Sequence, residues 1–123
     1  MESDPCNSNA NLTDLSKIGF ELAITKSNEN LAEAFKLLNN ASTYEQWGRR
    51  SACYNTYNSS VYQIKEGLQY FDGMKYGKAN RIVGLYNEGL NYCLNLNVVE
   101  LTEMITFLKK FTTDLKVILH LLY

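Results

Sequence analysis

Large apolar residues recur along this chain at intervals of three and four, the spacing that gathers them on one side of a helix. The clearest run is Cys53, Tyr57, Val61, Ile64, Leu68 and Phe71, one unbroken stripe. Asp72-Gly73 follows it with turn chemistry, so a helix is predicted from about Arg50 to Phe71. Ala79, Ile82, Tyr86, Leu90 and Cys93 predict the next, from about Tyr76 to Cys93. Leu101, Met104, Leu108, Phe111, Leu115, Ile118 and Leu122 then alternate three and four like a heptad seam. Upstream, Leu15, Ile18, Leu22, Leu31, Phe35 and Leu38 mark a helix from Asn11, with Phe20, Ile24 and Ala34 broadening its stripe. Asn11 with Asp14, and Asn97 with Glu100, have capping-box spacing at two helix starts.

Between these runs the chain is polar. Residues 1–10 read as a mobile arm. Residues 39–50 read as a long connection holding the only tryptophan, Trp47, which is expected to cover the end of the core. No segment of useful length alternates with period two. The pattern therefore predicts an all-α chain whose residues 11–123 form one antiparallel four-helix bundle.

Composition narrows the function classes. The chain has 123 residues, 46% of them hydrophobic, enough for one core. Its 12 Lys and Arg nearly cancel 13 Asp and Glu, so no strong electrostatic grip on nucleic acid is expected. No apolar stretch approaches membrane-spanning length. The single histidine, His120, sits beside core positions, and imidazole-dependent hydrolase sites lose their usual base. No phosphate loop or metal cluster is visible, so neither an enzyme nor a cofactor is expected. Asn is abundant, with 14 residues, and three stand in glycosylation sequons: Asn11, Asn40 and Asn58. Most of the nine tyrosines are expected half-buried along helix faces, with their hydroxyls in water.

Two cysteines lie at matching places. Folding back at Asp72-Gly73 brings the start of one helix beside the end of the next, and Cys53 and Cys93 occupy those positions on the apolar stripes. They are expected to face each other, either as a disulfide or as two buried thiols. A bond closing this loop would stabilise by about 4 kcal/mol on the chain-entropy argument. Cys6 is left over in the arm and is expected to be unpaired and exposed.

These residues resemble a known family, the plant invertase and pectin methylesterase inhibitors. The run Ser51-Ala52-Cys53-Tyr54-Asn55-Thr56-Tyr57 through Leu68 is similar to the family's cysteine-led helix. Lys75-Tyr76-Gly77-Lys78-Ala79-Asn80 resembles its aromatic–x–x–Ala–Asn lead-in to the following helix, and Cys93 falls 14 residues after Ala79, as in many members. Ser3-Asp4-Pro5, followed by Leu12-Thr13-Asp14-Leu15, resembles the family's approach to its first bundle helix. The resemblance implies a secreted, non-enzymatic protein that blocks a cell-wall carbohydrate enzyme in the apoplast.

Departures from the family pattern sharpen these expectations. Members carry a signal peptide and a short disulfide-closed helical hairpin ahead of the Ser-Asp-Pro element. This chain shows neither, which implies a front truncation and apolar residues such as Phe20, Ile24 or Phe111 left exposed. Pectin methylesterase inhibitors present acidic residues at positions that are Asn55, Ser59 and Tyr62 here, and none of these is charged. Invertase inhibitors carry Pro-Lys-Phe in the turn between the two cysteine-bearing helices, where this chain has Met74-Lys75-Tyr76. The resemblance thus implies an acid invertase as the preferred partner, met by Met74, Lys75 and Tyr76. Pectin methylesterase is the alternative partner, and a diverged structural or ligand-binding bundle without an enzyme target is the alternative role.

Overall fold

The computed structural model describes the backbone of residues 5–123 and the side chains from residue 11 onward. The described residues form four α-helices: α1 (Pro5–Asn39), α2 (Tyr44–Asp72), α3 (Tyr76–Asn95) and α4 (Thr102–His120). A single 3-10 turn, Val99–Leu101, leads into α4. Each helix packs on the next, and α4 closes back on α1. This is the up-down-up-down bundle that the spacing predicts. Residues 1–4 of the expected arm, and the side chain of Cys6, lie outside the described residues.

The helix boundaries differ from expectation in three places. α1 already runs from Pro5, so Asn11 lies within the helix and not at its cap. α2 starts at Tyr44, well before Arg50. Thr43 caps it, its hydroxyl accepting from the Gln46 amide at 3.1 Å, and the Ser42 amide donates to the Gln46 side chain at 3.0 Å. These polar caps start a helix where no apolar stripe announces one. Trp47 therefore stands in the first turn of α2, half-exposed and stacked on Tyr44, and does not cover the core. At the start of α4, Asn97 takes a left-handed backbone (φ 57°) and Glu100 receives Arg50, so the expected capping box does not form.

The α2 and α3 stripes bury largely as their spacing predicts, except that Leu68 is only partly buried and Val83 takes the buried place expected of Ile82, which is partly buried. Cys53, Tyr57, Val61, Ile64 and Phe71 are buried against Ala79, Val83, Tyr86, Leu90 and Cys93. α4 keeps Leu101, Leu108 and Leu115 in the core but is rolled by one position. Ile105, Thr112 and Leu119 are buried where Met104, Phe111 and Ile118 were expected. Thr112 satisfies its buried hydroxyl on the Leu108 carbonyl, 2.9 Å away, and on Asn87.

α1 departs furthest. Its large residues Leu15, Ile18, Leu22 and Phe35 are about half exposed. The buried face is instead Ser16, Phe20, Ala23, Ser27, Asn30 and Ala34, which step by 4, 3, 4, 3 and 4. Small side chains let α1 approach closely: a Cβ on Gly19 would stand 2.9 Å from Leu115 Cδ1. The apolar exposure expected at Phe20, Ile24 and Phe111 is thus displaced. Phe20 is buried, Ile24 and Phe111 are partly buried, and Leu15, Ile18 and Leu22 carry the exposure.

Candidate functional site

The α2–α3 hairpin is fixed at both ends. Cys53 and Cys93 are disulfide-bonded, with Cα atoms 4.9 Å apart, as the register predicts. Both cysteines are buried. At the other end the chain reverses in a Schellman motif. The Met74 amide donates to Phe71 O at 2.9 Å, and the Lys75 amide donates to Tyr70 O at 2.9 Å. Met74 holds the left-handed position of that motif (φ 62°), a place that favours glycine. Gly73 sits one position too early to take it.

This turn separates the three tip residues. Met74 projects, 76% exposed, and Lys75 is exposed beside it. Tyr76 folds under the turn, half-buried, its ring centroid 5.3 Å from that of Phe71. The expected cation and aromatic are adjacent in sequence but not equally available. Lys78 and Arg81, also exposed, extend the cationic surface along α3. Asp72, the carboxylate nearest in sequence, is engaged by Lys17 at 2.7 Å. Its hydrogen bond to the ammonium raises the Lys17 pKa.

Asn55, Ser59 and Tyr62 are exposed together on α2, four and three residues apart on one face. They are not part of the tip. Tyr62 stands roughly 15–20 Å along the helix from Asp72-Gly73, and Asn55 further still. Tyr62 instead borders a shallow surface with Gln63, Lys65, Glu66 and Gln69, and Lys65 Nζ lies 6.0 Å from its ring centroid. Asn58 is exposed within the same stretch of α2, while Asn11 and Asn40 are exposed on α1 and just after it.

The buried polar ladder of α1 was not anticipated. Asn30 Nδ2 donates to the Tyr57 hydroxyl at 2.9 Å, and Ser27 hydrogen-bonds the Tyr86 hydroxyl. Both phenols are fully buried, contrary to the expectation of hydroxyls in water. Burial pushes the Tyr86 pKa up to about 12 and raises that of Tyr57 as well; the hydrogen bonds with Ser27 and Asn30 offset part of this. Arg50 is a second buried group that escaped the sequence reading. Its guanidinium donates to the Leu37 carbonyl at 2.6 Å and to Glu100 at 3.1 Å, tying the end of α1 to the lead-in of α4. A step of 3 and 4 among small and polar residues was the available signal for the first. A lone Arg beside a polar connection gave none for the second.

Among the described residues no three His, Cys, Asp or Glu side chains gather as a metal site, and no helix is long and apolar enough to cross a membrane. His120 is exposed and meets the Tyr123 ring edge-on at 5.2 Å. The most sharply defined surface is a projecting turn on a stapled hairpin. No protein-family model matches this chain, and a search of curated proteins gives no match.

Proposed function

We propose that the protein is a non-enzymatic inhibitor of a plant cell-wall carbohydrate enzyme, with acid invertase as the target and the α2–α3 turn as the blocking element. The observation that carries this reading is the exposed Lys75 on a turn closed by the Schellman hydrogen bonds, at the tip of a hairpin whose far end is joined by the Cys53–Cys93 bond. A rigid hairpin loses little entropy when its tip enters a cleft. Its cations suit the carboxylates of a sugar-cleaving site. Met74, which stands where the family has proline, supplies the apolar contact that the resemblance gave to Tyr76, since Tyr76 is occupied under the turn.

Pectin methylesterase is the less favoured partner, because Asn55, Ser59 and Tyr62 present no charge. The same uncharged face favours the second reading, a scaffold without an enzyme target. A glycan on Asn58 would also shield that face and leave the tip free. Secretion to the apoplast belongs to this proposal. Titrating the protein against an acid invertase and a pectin methylesterase tests it: saturable inhibition of the invertase alone is expected. Inhibition of the esterase alone would move the target, and inhibition of neither would leave the scaffold reading.

A further inference from the structure

Two hollows lie end to end along the seam between α1 and α4. One, of 170 Å³, is lined by Leu15, Ile18, Leu22, Phe111, Asp114 and Ile118. The next, of 390 Å³, is bordered by Lys26, Glu29, Glu103 and Phe107. The seam is open because α1 turns its small residues inward, which leaves its large ones along the edge. Leu15, Ile18 and Leu22 are each about half exposed, and Phe107 is 58% exposed and stacked on Phe111. Half-exposed side chains of this size in one continuous strip mark a contact surface more than scattered exposure does.

Shape and charge select the occupant. The strip runs from Leu15 to the level of Lys26, about 16 Å, and is two helices wide at a spacing of about 8–10 Å. That is well short of the roughly 800 Å² per side of a standard interface between two folded bodies. It matches three turns of one helix laid in a groove. The borders are acidic. Asp14 and Glu21 stand one turn to either side of Ile18, and Glu29, Glu103 and Asp114 line the hollows. Against these five carboxylates stand Lys26 and Lys110, already paired with Glu29 at 3.3 Å and Asp114 at 3.7 Å, and Lys17, which faces Glu21 but is paired with Asp72 at 2.7 Å. A second copy would set two acidic borders against each other. A basic helix meets attraction on both edges.

We propose that the α1–α4 seam docks an amphipathic helix of a partner protein, one whose apolar stripe is flanked by Lys or Arg. This surface lies on α1 and α4 and not on the α2–α3 turn, so the proposal does not rest on the inhibitory reading.

The test uses the full chain and two helix-stapled peptides with the same leucine stripe, one flanked by lysines and one by glutamates. Fluorescence anisotropy gives the affinity, and amide chemical shifts give the location. The lysine peptide is expected to bind at least tenfold more tightly than its twin, to weaken with added salt, and to shift α1 and α4 amides. Ile18→Asp and Leu22→Asp, both at half-exposed positions, should each reduce binding at least tenfold with the circular dichroism spectrum retained. Val99→Asp, at an exposed site on the connection into α4, should not. Equal binding of both peptides, no binding, or an equal loss with Val99→Asp would overturn the proposal. A concentration-dependent dimer in sedimentation equilibrium, abolished by Ile18→Asp, would also overturn it and assign the seam to a second copy.

Discussion

The α2–α3 hairpin and the α1–α4 seam are built from similar sequence patterns and packed in opposite ways. In the hairpin, large apolar residues meet large apolar residues, and a disulfide joins the open end. Along the seam, α1 offers serine, alanine, glycine and asparagine to the core and leaves leucine and isoleucine at the surface. The hairpin is held mainly by burial, at about 25 cal/mol per Å² of apolar surface. α1 is held by Phe20 together with close backbone approach and a few hydroxyl hydrogen bonds, each contributing about 1 kcal/mol net. The difference teaches that a three-four stripe locates a helix without saying which face is inside.

The contrast breaks most visibly in paired substitutions. Removing the disulfide by Cys53→Ala with Cys93→Ala should lower stability by about 4 kcal/mol, measured by urea unfolding. Ile64→Ala, within the fully buried α2 stripe, should cost about 2–5 kcal/mol by the same assay. Ile18→Ala, at a half-exposed position of the seam, should cost less than about 1 kcal/mol. Similar losses at Ile18 and Ile64 would show that α1 packs with the face predicted from its large residues.

The buried phenols give a pH-dependent test of the ladder. Tyr86 is raised from its ordinary 10.0 to about 12, and Tyr57 is raised too, so the folded state keeps protons that the unfolded chain gives up. Their contribution is therefore complete below pH 10 and is lost as pH rises through the folded pKa values. Thermal melts should show an alkaline fall in Tm that is reduced in Tyr57→Phe with Tyr86→Phe. An unchanged alkaline fall in that variant would place the sensitivity elsewhere.

The smallest expected effect lies at the turn. Met74→Gly relieves a side chain of its left-handed backbone and should raise stability by about 0.5–1 kcal/mol. A loss on this substitution would mean that Met74 is held by contacts beyond the Schellman hydrogen bonds.

How much was legible follows from the same physics. The α2 and α3 stripes, the hairpin register and the cysteine pairing could be read because bulky residues at fixed spacing have one good place to go. The facing of α1 could not be read from residue size, since close approach at Gly19, Ala23 and Ser27 outweighed burial of Leu15, Ile18 and Leu22. The start of α2 was hidden because a hydroxyl cap and side-chain hydrogen bonds carry it. At the candidate site, an exposed Lys75 was legible. The half-burial of Tyr76 depends on Phe71 lying across the turn. The separation of Asn55, Ser59 and Tyr62 from the tip needed only the helical rise.

The inhibition constant of Lys75→Glu against an acid invertase, beside that of Lys109→Glu on α4, bears most directly on the proposal that the hairpin tip is the inhibitory contact. Lys75→Glu should weaken inhibition more than tenfold, a change of over about 1.4 kcal/mol, while circular dichroism and Tm stay unchanged. Lys109→Glu should change it little. Equal effects from the two substitutions, or full inhibition by Lys75→Glu, would contradict the assignment of the tip as the contact.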